Sequence, residues 1–316
     1  MNIDALDTLR THLLTALSRA PDEARRLFHG RGRRWPGLEH ITVDWLQGVL
    51  LVSLFKPVEP DFATALRAHL TALAASPGWA ASGAHTLTLQ HRYTPEAACE
   101  WLAGDAQGQH TVNEDGLRYG LTLGRNQNAG LFLDMRYGRQ WVKAHAQGRR
   151  VLNLFAYTCG FSVAAIAGGA EHVVNLDMAR SALNQGRENH RLNDHDLSRV
   201  SFLGHELFKS WGKVRRGGPY DLVIIDPPSF QKGSFALTSD YRKILRKLPE
   251  LTREGASVLA CVNDPGVGPG FIIDSMTEEA TMFEFVQRLE NPPEFSDIDP
   301  TGGLKAMVFK RIEAVA

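Results

Sequence analysis

Leu6, Leu9, Leu13, Leu14 and Leu17 recur at helical spacing and predict an amphipathic helix over residues 4–19. Residues 25–40 (RRLFHGRGRRWPGLEH) break that rhythm; they are basic and glycine-rich, and read as a loop or hairpin. ITVDWLQGVLLVSLF (41–55) reads as two strands joined at Gln47-Gly48. Residues 61–75 are helical and stop at Ser76-Pro77-Gly78. HTLTLQHRY (85–93) alternates as a strand. TPEAACEWLAG (94–104) has Thr94 placed to cap a helix, Pro95 at its first position and Gly104 at its end. Two short strands follow near 110–124, turning at Glu114-Asp115-Gly116. Residues 1–124 therefore read as a small α+β domain.

From residue 125 to 316 the pattern changes. Short apolar runs at 151–155, 172–177, 200–203, 221–226 and 257–262 alternate with helical segments at 134–147, 161–168, 179–193, 206–214 and 238–252. Strands that alternate with helices imply a mostly parallel sheet covered on both faces, an α/β domain. Residues 270–288 and 305–311 read as a last helix and an edge strand.

Composition narrows the class. Hydrophobic residues are 43% and charged residues 22%, ordinary for a globular chain, and 35 basic residues balance 35 acidic ones. A strongly basic binder is excluded, although a local basic face is not, because phosphate contacts need clustered cations rather than an excess. Cys99, Cys159 and Cys261 are far apart with no CxxC spacing, which argues against a disulfide framework or a metal site. The first residues lack a signal-peptide pattern and no 18-residue apolar stretch occurs, so a cytoplasmic protein with no membrane span is expected.

Ligands of such sheets lie where the strand order reverses, beyond the carboxyl ends of the strands. The first strand of the α/β region runs into NLFAYTCGF (153–161), a turn of small residues opening a helix. It lacks GxGxxG, which disfavours a nicotinamide dinucleotide. The second ends in Asp177, about 20 residues past the turn; it suits ribose hydroxyls, a helix cap, or both. The fourth ends in Asp226-Pro227-Pro228-Ser229-Phe230. Two prolines after a central strand give a rigid extended exit that holds the Asp226 carboxylate and nearby carbonyls over the cleft, with Phe230 as a stacking face. The plainer alternative is that the prolines only end the strand.

These segments resemble the motifs of class I S-adenosylmethionine (SAM)-dependent methyltransferases. More narrowly, GLFLDMR (130–136), VLNLFAYTCGFSVAAIAGGA (151–170), LDMARSALNQGRENHRLN (176–193) and YDLVIIDPPSF (220–230) are similar to bacterial large-subunit ribosomal RNA methyltransferases that modify cytosine carbon 5 or guanine nitrogen 7. Residues 29–52 look like the small domain preceding the catalytic domain in the cytosine enzymes, whose RNA-binding PUA domain has no counterpart here. The resemblance implies a Rossmann-like seven-stranded fold with SAM as cofactor. It implies that Asn153, Phe155, Tyr157 and Gly160 line the methionine end, that Asp177 takes the ribose and that Met178 packs on adenine. Asp134 and Arg136 would stand near the cofactor or close the site, with Asp134 equally able to cap the next helix. Where the family has an acid for the adenine amine, this chain has His205 with Glu206 beside it.

The methylated atom depends on the fifth strand. Carbon methylation of cytosine needs a thiolate nucleophile. The family position for that cysteine falls on Asn263, while Cys261 lies two residues earlier, on the same strand face or simply in the core. Nitrogen methylation needs only positioning and electrostatics, which Asp226 or Asn263 could supply; it is the favoured expectation. The expected substrate is ribosomal RNA, met by Arg25, Arg26, Arg31, Arg33, Arg34 and Trp35, or by Lys209, Lys213, Arg215 and Arg216, if these are more than solvated surface. A small-molecule or protein methyltransferase and a non-catalytic SAM- and RNA-binding assembly factor are the alternatives; a nucleotide-binding oxidoreductase is disfavoured by the missing glycines.

Overall fold

The computed structural model describes residues 1–105, 108–228, 230–231 and 235–312, with the side chains of Phe230 and Gln231 outside that set. It divides into two units, Met1–Leu133 with Pro292–Pro300, and Asp134–Asn291 with Thr301–Ala316. The sequence pattern changes at 124; the first unit runs on to Leu133 and takes back nine residues from near the carboxyl end, 292–300.

In the first unit, α1 (Ala5–Leu17), β1 (Arg25–His29), β2 (Ile41–Trp45), β3 (Val49–Leu54), α2 (Pro60–Ala74), α3 (Pro77–Ala81), β4 (Thr86–His91) and β5 (Cys99–Ala103) build a five-stranded sheet in order β1-β2-β3-β4-β5. Leu6, Leu9, Leu13 and Leu17 of α1 and Phe62, Leu66, Leu70 and Leu73 of α2 pack with Val43, Leu50, Val52, Leu87 and Leu89 of the sheet. Each such buried side chain contributes about 2 kcal/mol. A separate hairpin, β6 (Gly108–Glu114) and β7 (Leu117–Leu123), turns through positive φ at Asp115 and Gly116, as expected for a two-residue hairpin loop.

Two sequence expectations fail here. Residues 25–29 form a strand because Arg26 lies in the sheet and pairs with Asp44 on β2, while a bulge between Arg26 and Phe28 breaks the alternation. Residues 94–104 form no helix. Thr94 Oγ1 donates to the His91 carbonyl and accepts from Ala98 N, closing a turn with Ala97 at φ 47°. Cys99–Ala103 then pairs along β4, with Glu100 clamped by Arg67 at 2.6 and 2.7 Å. Strand pairing outweighs a good cap and a well-placed proline.

The second unit holds α4 (Arg136–His145), β8 (Arg150–Leu154), α5 (Gly160–Ala167), β9 (His172–Asp177), α6 (Arg180–Leu192), β10 (Val200–Gly204), α7 (Trp211–Gly217), β11 (Tyr220–Ile225), β12 (Phe230–Gln231), β13 (Phe235–Ala236), α8 (Leu237–Leu245), α9 (Leu248–Leu251), β14 (Thr252–Val262), α10 (Gly270–Glu279), β15 (Phe283–Leu289) and β16 (Lys305–Arg311). Seven of its strands form one sheet in order β10-β9-β8-β11-β14-β16-β15. The first five are parallel, and β16 runs antiparallel between β14 and β15. The expected Rossmann-like α/β sheet is therefore present, with two corrections. Residues 283–289 are a strand rather than helix, and this strand, not 305–311, is the edge. A bulge between Phe285 and Gln287 hid its period.

Alternate strand residues face two cores. Leu152, Leu154, Val223, Ile225, Val258 and Ala260 meet the helices after β11, whereas Val151, Leu222, Ile224, Leu259 and Cys261 meet α4 and α5. No helix among the described residues is long and apolar enough to cross a membrane.

The α4–α5 contact is closest at Gly168, where a Cβ would collide with the Lys143 carbonyl oxygen although φ is an ordinary −79°. Gly168→Ala should lower stability by about 1–3 kcal/mol. Gly148→Ala, at φ 68° with open space around it, should cost about 1 kcal/mol, the left-handed backbone strain without a collision. Urea unfolding midpoints of the two variants check the order.

Candidate functional site

Beyond β9 and β10 the crossovers step one way from β8; β11 and β14 lie on its other side. The strand order therefore reverses between β8 and β11, and that crevice is where a doubly wound sheet binds its ligand. Along the carboxyl edge, His205 follows β10, Asp177 ends β9, Phe155–Cys159 follow β8, Asp226 follows β11 and Asn263 follows β14. Five of the sequence-predicted segments are thus side by side in space.

The loop after β8 is shaped by its backbone. Phe155, Tyr157 and Cys159 all have positive φ (57°, 47° and 62°). Each such conformation costs a non-glycine residue about 1–3 kcal/mol, so the surroundings must hold it. They do: Ala156 N donates to the Leu176 carbonyl at 3.0 Å, Tyr157 N to Asp177 Oδ2 at 2.8 Å, and Asn189 Nδ2 to the Thr158 carbonyl at 2.9 Å. Cys159 is buried against Gly186, where no Cβ would fit. Gly160 then opens α5, whose first N–H groups have no partner within the helix and point at the loop.

Asp177 also accepts from Ala179 N through Oδ1 at 2.8 Å, at the start of α6. Burial raises its pKa, and the N–H groups of Ala179, Tyr157 and Met178 oppose the rise. An ionised carboxylate has about four lone-pair sites; three N–H groups draw on them, which leaves acceptor capacity for a hydroxyl. Met178 beside it is 45% exposed, a large apolar side chain open to a flat ring. These features fit a nucleoside bearing a free ribose and an amino-acid carboxylate.

Other predicted residues take different places. Asn153 is buried and donates to Asn175 Oδ1 at 2.9 Å. Asn175 donates to Ser162, whose hydroxyl meets His190 Nε2 at 2.9 Å. This chain of side chains ties β8, β9, α5 and α6 together beneath the loop, so Asn153 supports the loop from below. Phe155 packs edge-on against Phe235, with ring centroids 5.1 Å apart, joining the segments beyond β8 and β11. His205 N donates to the Asp177 carbonyl at 3.1 Å, and its ring Nε2 lies 2.6 Å from Lys213 Nζ. Glu206 pairs with Lys209 at 2.5 Å. Arg136 is buried, its guanidinium 5.1 Å from the Tyr137 ring centroid.

On the β11 side, Asp226 is partly exposed, Pro227 buried and Pro228 exposed. Ser229 and the Phe230 side chain lie outside the described residues. Asn263 Nδ2 donates to Asp134 Oδ2 at 3.0 Å, joining the segment before α4 to the end of β14. Asp226 feels that carboxylate. Its pKa is pushed up to about 7, first by desolvation and then by Asp134, with Arg139 opposing. Arg139 and the Asp134–Asn263 bond were not legible in the sequence; Arg139 stands one turn beyond Arg136 on α4 and is buried. Cys261 is fully buried, opposite Ala306 of β16, and burial with the charges of Asp226 and Asp134 holds its thiol well above the usual range. Among the described residues no group of three or more His, Cys, Asp or Glu side chains is placed to hold a metal ion.

The raised Asp226 pKa has a defined sign. The folded state keeps this proton up to about pH 7, whereas an unfolded Asp releases it near 3.9. Folded protein therefore binds more protons between those values, and stability falls as pH rises through that window. Asp226→Asn should flatten this part of the stability profile. Asp134→Asn should lower the Asp226 pKa, and Arg139→Gln should raise it, both read by carboxyl-carbon NMR titration.

The sequence model of the S-adenosylmethionine-dependent methyltransferases matches residues 25–310. A Bacillus subtilis (strain 168) protein assigned as the ribosomal RNA large subunit methyltransferase YwbD is 26% identical over 307 residues, 91% of this chain and 74% of its own length. Ribosomal RNA large subunit methyltransferase I of Aeromonas salmonicida (strain A449) is 36% identical over 127 residues, 40% of this chain and 32% of that protein. The chain thus spans about a third of that relative. A solved Streptococcus mutans structure, assigned as a SAM-dependent methyltransferase, superposes with a TM-score of 0.85 at 23% identity, over 98% of this chain and 82% of the other; the fold is shared. With a family match over nearly its whole length, a reversed strand order and an acid at the end of β9 on the carboxyl edge, the chain belongs to the S-adenosylmethionine-dependent methyltransferase family.

Proposed function

We propose that this enzyme methylates a nitrogen of a nucleobase in large-subunit ribosomal RNA, in the cytoplasm. Asp177 and Met178 would hold the nucleoside end of SAM, and the loop from Phe155 to Gly160 its amino-acid end. When bound, SAM supplies an electrophilic methyl group that a nitrogen lone pair can take directly, without covalent attachment of the base to the protein.

The observation that carries the nitrogen reading is what stands at the end of β14. Carbon methylation of cytosine requires a thiolate, and Cys261 is buried with its thiol held protonated. Cys159 is buried as well, its pKa also raised by burial. Asn263, held by Asp134, occupies the sequence position at which the family resemblance implies that nucleophile. The groups around it suit a base with an amine. Two consecutive prolines carry no N–H, so Pro227 and Pro228 offer backbone acceptors and no backbone donor. With a pKa of about 7, the Asp226 carboxyl is present in both forms at neutral pH. It can accept from an amine or donate to a carbonyl. The RNA reading draws on relatives named as ribosomal RNA large subunit methyltransferases.

The test is incubation with methyl-labelled SAM and, in parallel, ribosomal subunits from a strain lacking the gene, a protein extract and a metabolite pool. Label should appear in large-subunit RNA, on an N-methylated nucleoside after digestion. It should persist in Cys261→Ala and fall on the order of 10²-fold in Asp226→Ala. Label on cytosine carbon 5 that is lost in Cys261→Ala would overturn the nitrogen assignment. Label confined to protein or metabolites would overturn the RNA assignment.

A further inference from the structure

The arginine-rich run at 25–34 is largely neutralised within the first unit. Arg25 pairs with Glu23, Arg26 with Asp44, Arg33 with Asp297 at 2.9 Å, and Arg34 donates to the Asp297 carbonyl at 3.1 Å. A different cluster forms at one end of the unit's sheet. Strands β1, β3 and β4 run in the same direction, so the residues that follow them meet at that end. These are Arg31 after β1, Phe55 and Lys56 after β3, and Arg92 and Tyr93 after β4.

Their side chains are arranged around Phe55. The guanidinium carbon of Arg31 lies 4.3 Å from the ring centroid and that of Arg92 4.8 Å. Arg92 is fixed further by a 2.7 Å bond to Asn128 Oδ1, and Gln90 Nε2 holds the Asn126 carbonyl at 2.9 Å. These two bonds anchor the turn that carries the exposed Arg125 to the same end. Tyr93 is 38% exposed and bonded to His91. The carboxylates here are occupied: Glu100 by Arg67 and His91, and Glu39 by Gly37 N. Lys56 and Arg125 are exposed and make no salt bridge among the described residues.

We infer that this sheet end is a binding surface for single-stranded RNA. The inference rests on the RNA reading above and adds the surface and the form of the RNA. Guanidinium planes and exposed aromatic rings are stacking platforms for unpaired bases, while flanking Lys and Arg meet phosphates. A duplex keeps its bases stacked on one another and offers no free faces. Surface cations alone would bind both forms; the aromatic centre of the cluster favours the unpaired one.

Fluorescence anisotropy with a 20-nucleotide unstructured RNA, with a duplex of equal length as competitor, tests this. Lys56→Gln/Arg125→Gln should weaken single-strand binding at least tenfold and reduce the slope of log affinity against log salt by about 1.4, since each single-strand phosphate contact contributes about 0.7. Arg25→Gln/Arg33→Gln should change binding less than threefold. Binding of S-adenosylhomocysteine, measured by calorimetry, should be unchanged in both double variants, which reports an intact second unit. If wild-type protein binds RNA and Lys56→Gln/Arg125→Gln binds it equally well, this surface is wrong while the RNA reading stands. If the duplex competes as well as the single strand, the stacking role is wrong. If wild-type protein neither binds nor methylates RNA, both readings fall.

Discussion

Three successive strand-to-helix turns meet at Asp177. Its carboxylate takes the N–H of Tyr157 beyond β8 and of Ala179 at the start of α6, and its carbonyl takes the N–H of His205 beyond β10. Without that carboxylate, the half-buried Tyr157 N–H and the exposed Ala179 N–H lose their acceptor, and a loop with three left-handed residues loses its tether. An unsatisfied buried donor costs about 1–3 kcal/mol, comparable to the strain of each left-handed residue. The same side chain thus offsets the loop's strain and keeps acceptor capacity at the carboxyl edge of the sheet.

Support for that edge comes from below. Asn153, Asn175, Ser162 and His190 form a buried polar chain across two strands and two helices. Burial and the neighbouring His195 lower the His190 pKa to about 3, so the ring stays neutral and the chain carries no charge into the core. Across the strand reversal the balance is opposite. Two carboxylates, Asp226 and Asp134, stand near each other with Arg139 as counter-charge, and one of them keeps its proton to about neutral pH. An uncharged polar chain beneath β8 and β9 thus faces a charged, titrating pair across the strand reversal.

The second unit was largely legible because its central strands β8, β9, β11 and β14 carry continuous apolar runs that are largely buried, and its motifs sit at strand ends. VLNLF and DLVIID could hardly be anything but central strands, and Asp226-Pro227-Pro228 marked the ligand edge. What stayed hidden is what long-range pairing decides. Asn263 reaches Asp134 across 129 residues, and nothing local to either announces it. Asn153 sits inside a motif that implies cofactor contact, yet its partner is a residue on the adjacent strand. In the first unit, Arg26 disguised a strand by finding Asp44, and a sound capping pattern at Thr94 yielded to an available sheet edge. The basic run at 25–34 looked like a nucleic-acid patch because its acids, Glu23, Asp44 and Asp297, are separated from it in the chain or lie outside the run.

The most direct measurement is calorimetric titration of S-adenosylhomocysteine into wild-type protein, Asp177→Asn and Asp177→Ala, with circular dichroism to verify folding. Losing the ribose acceptor and the loop tether together should weaken binding at least about tenfold in Asp177→Ala, roughly 1.4 kcal/mol or more. Asp177→Asn, which keeps one acceptor oxygen, should fall between that and wild type. Folded Asp177→Ala binding with wild-type affinity would contradict the account at its centre.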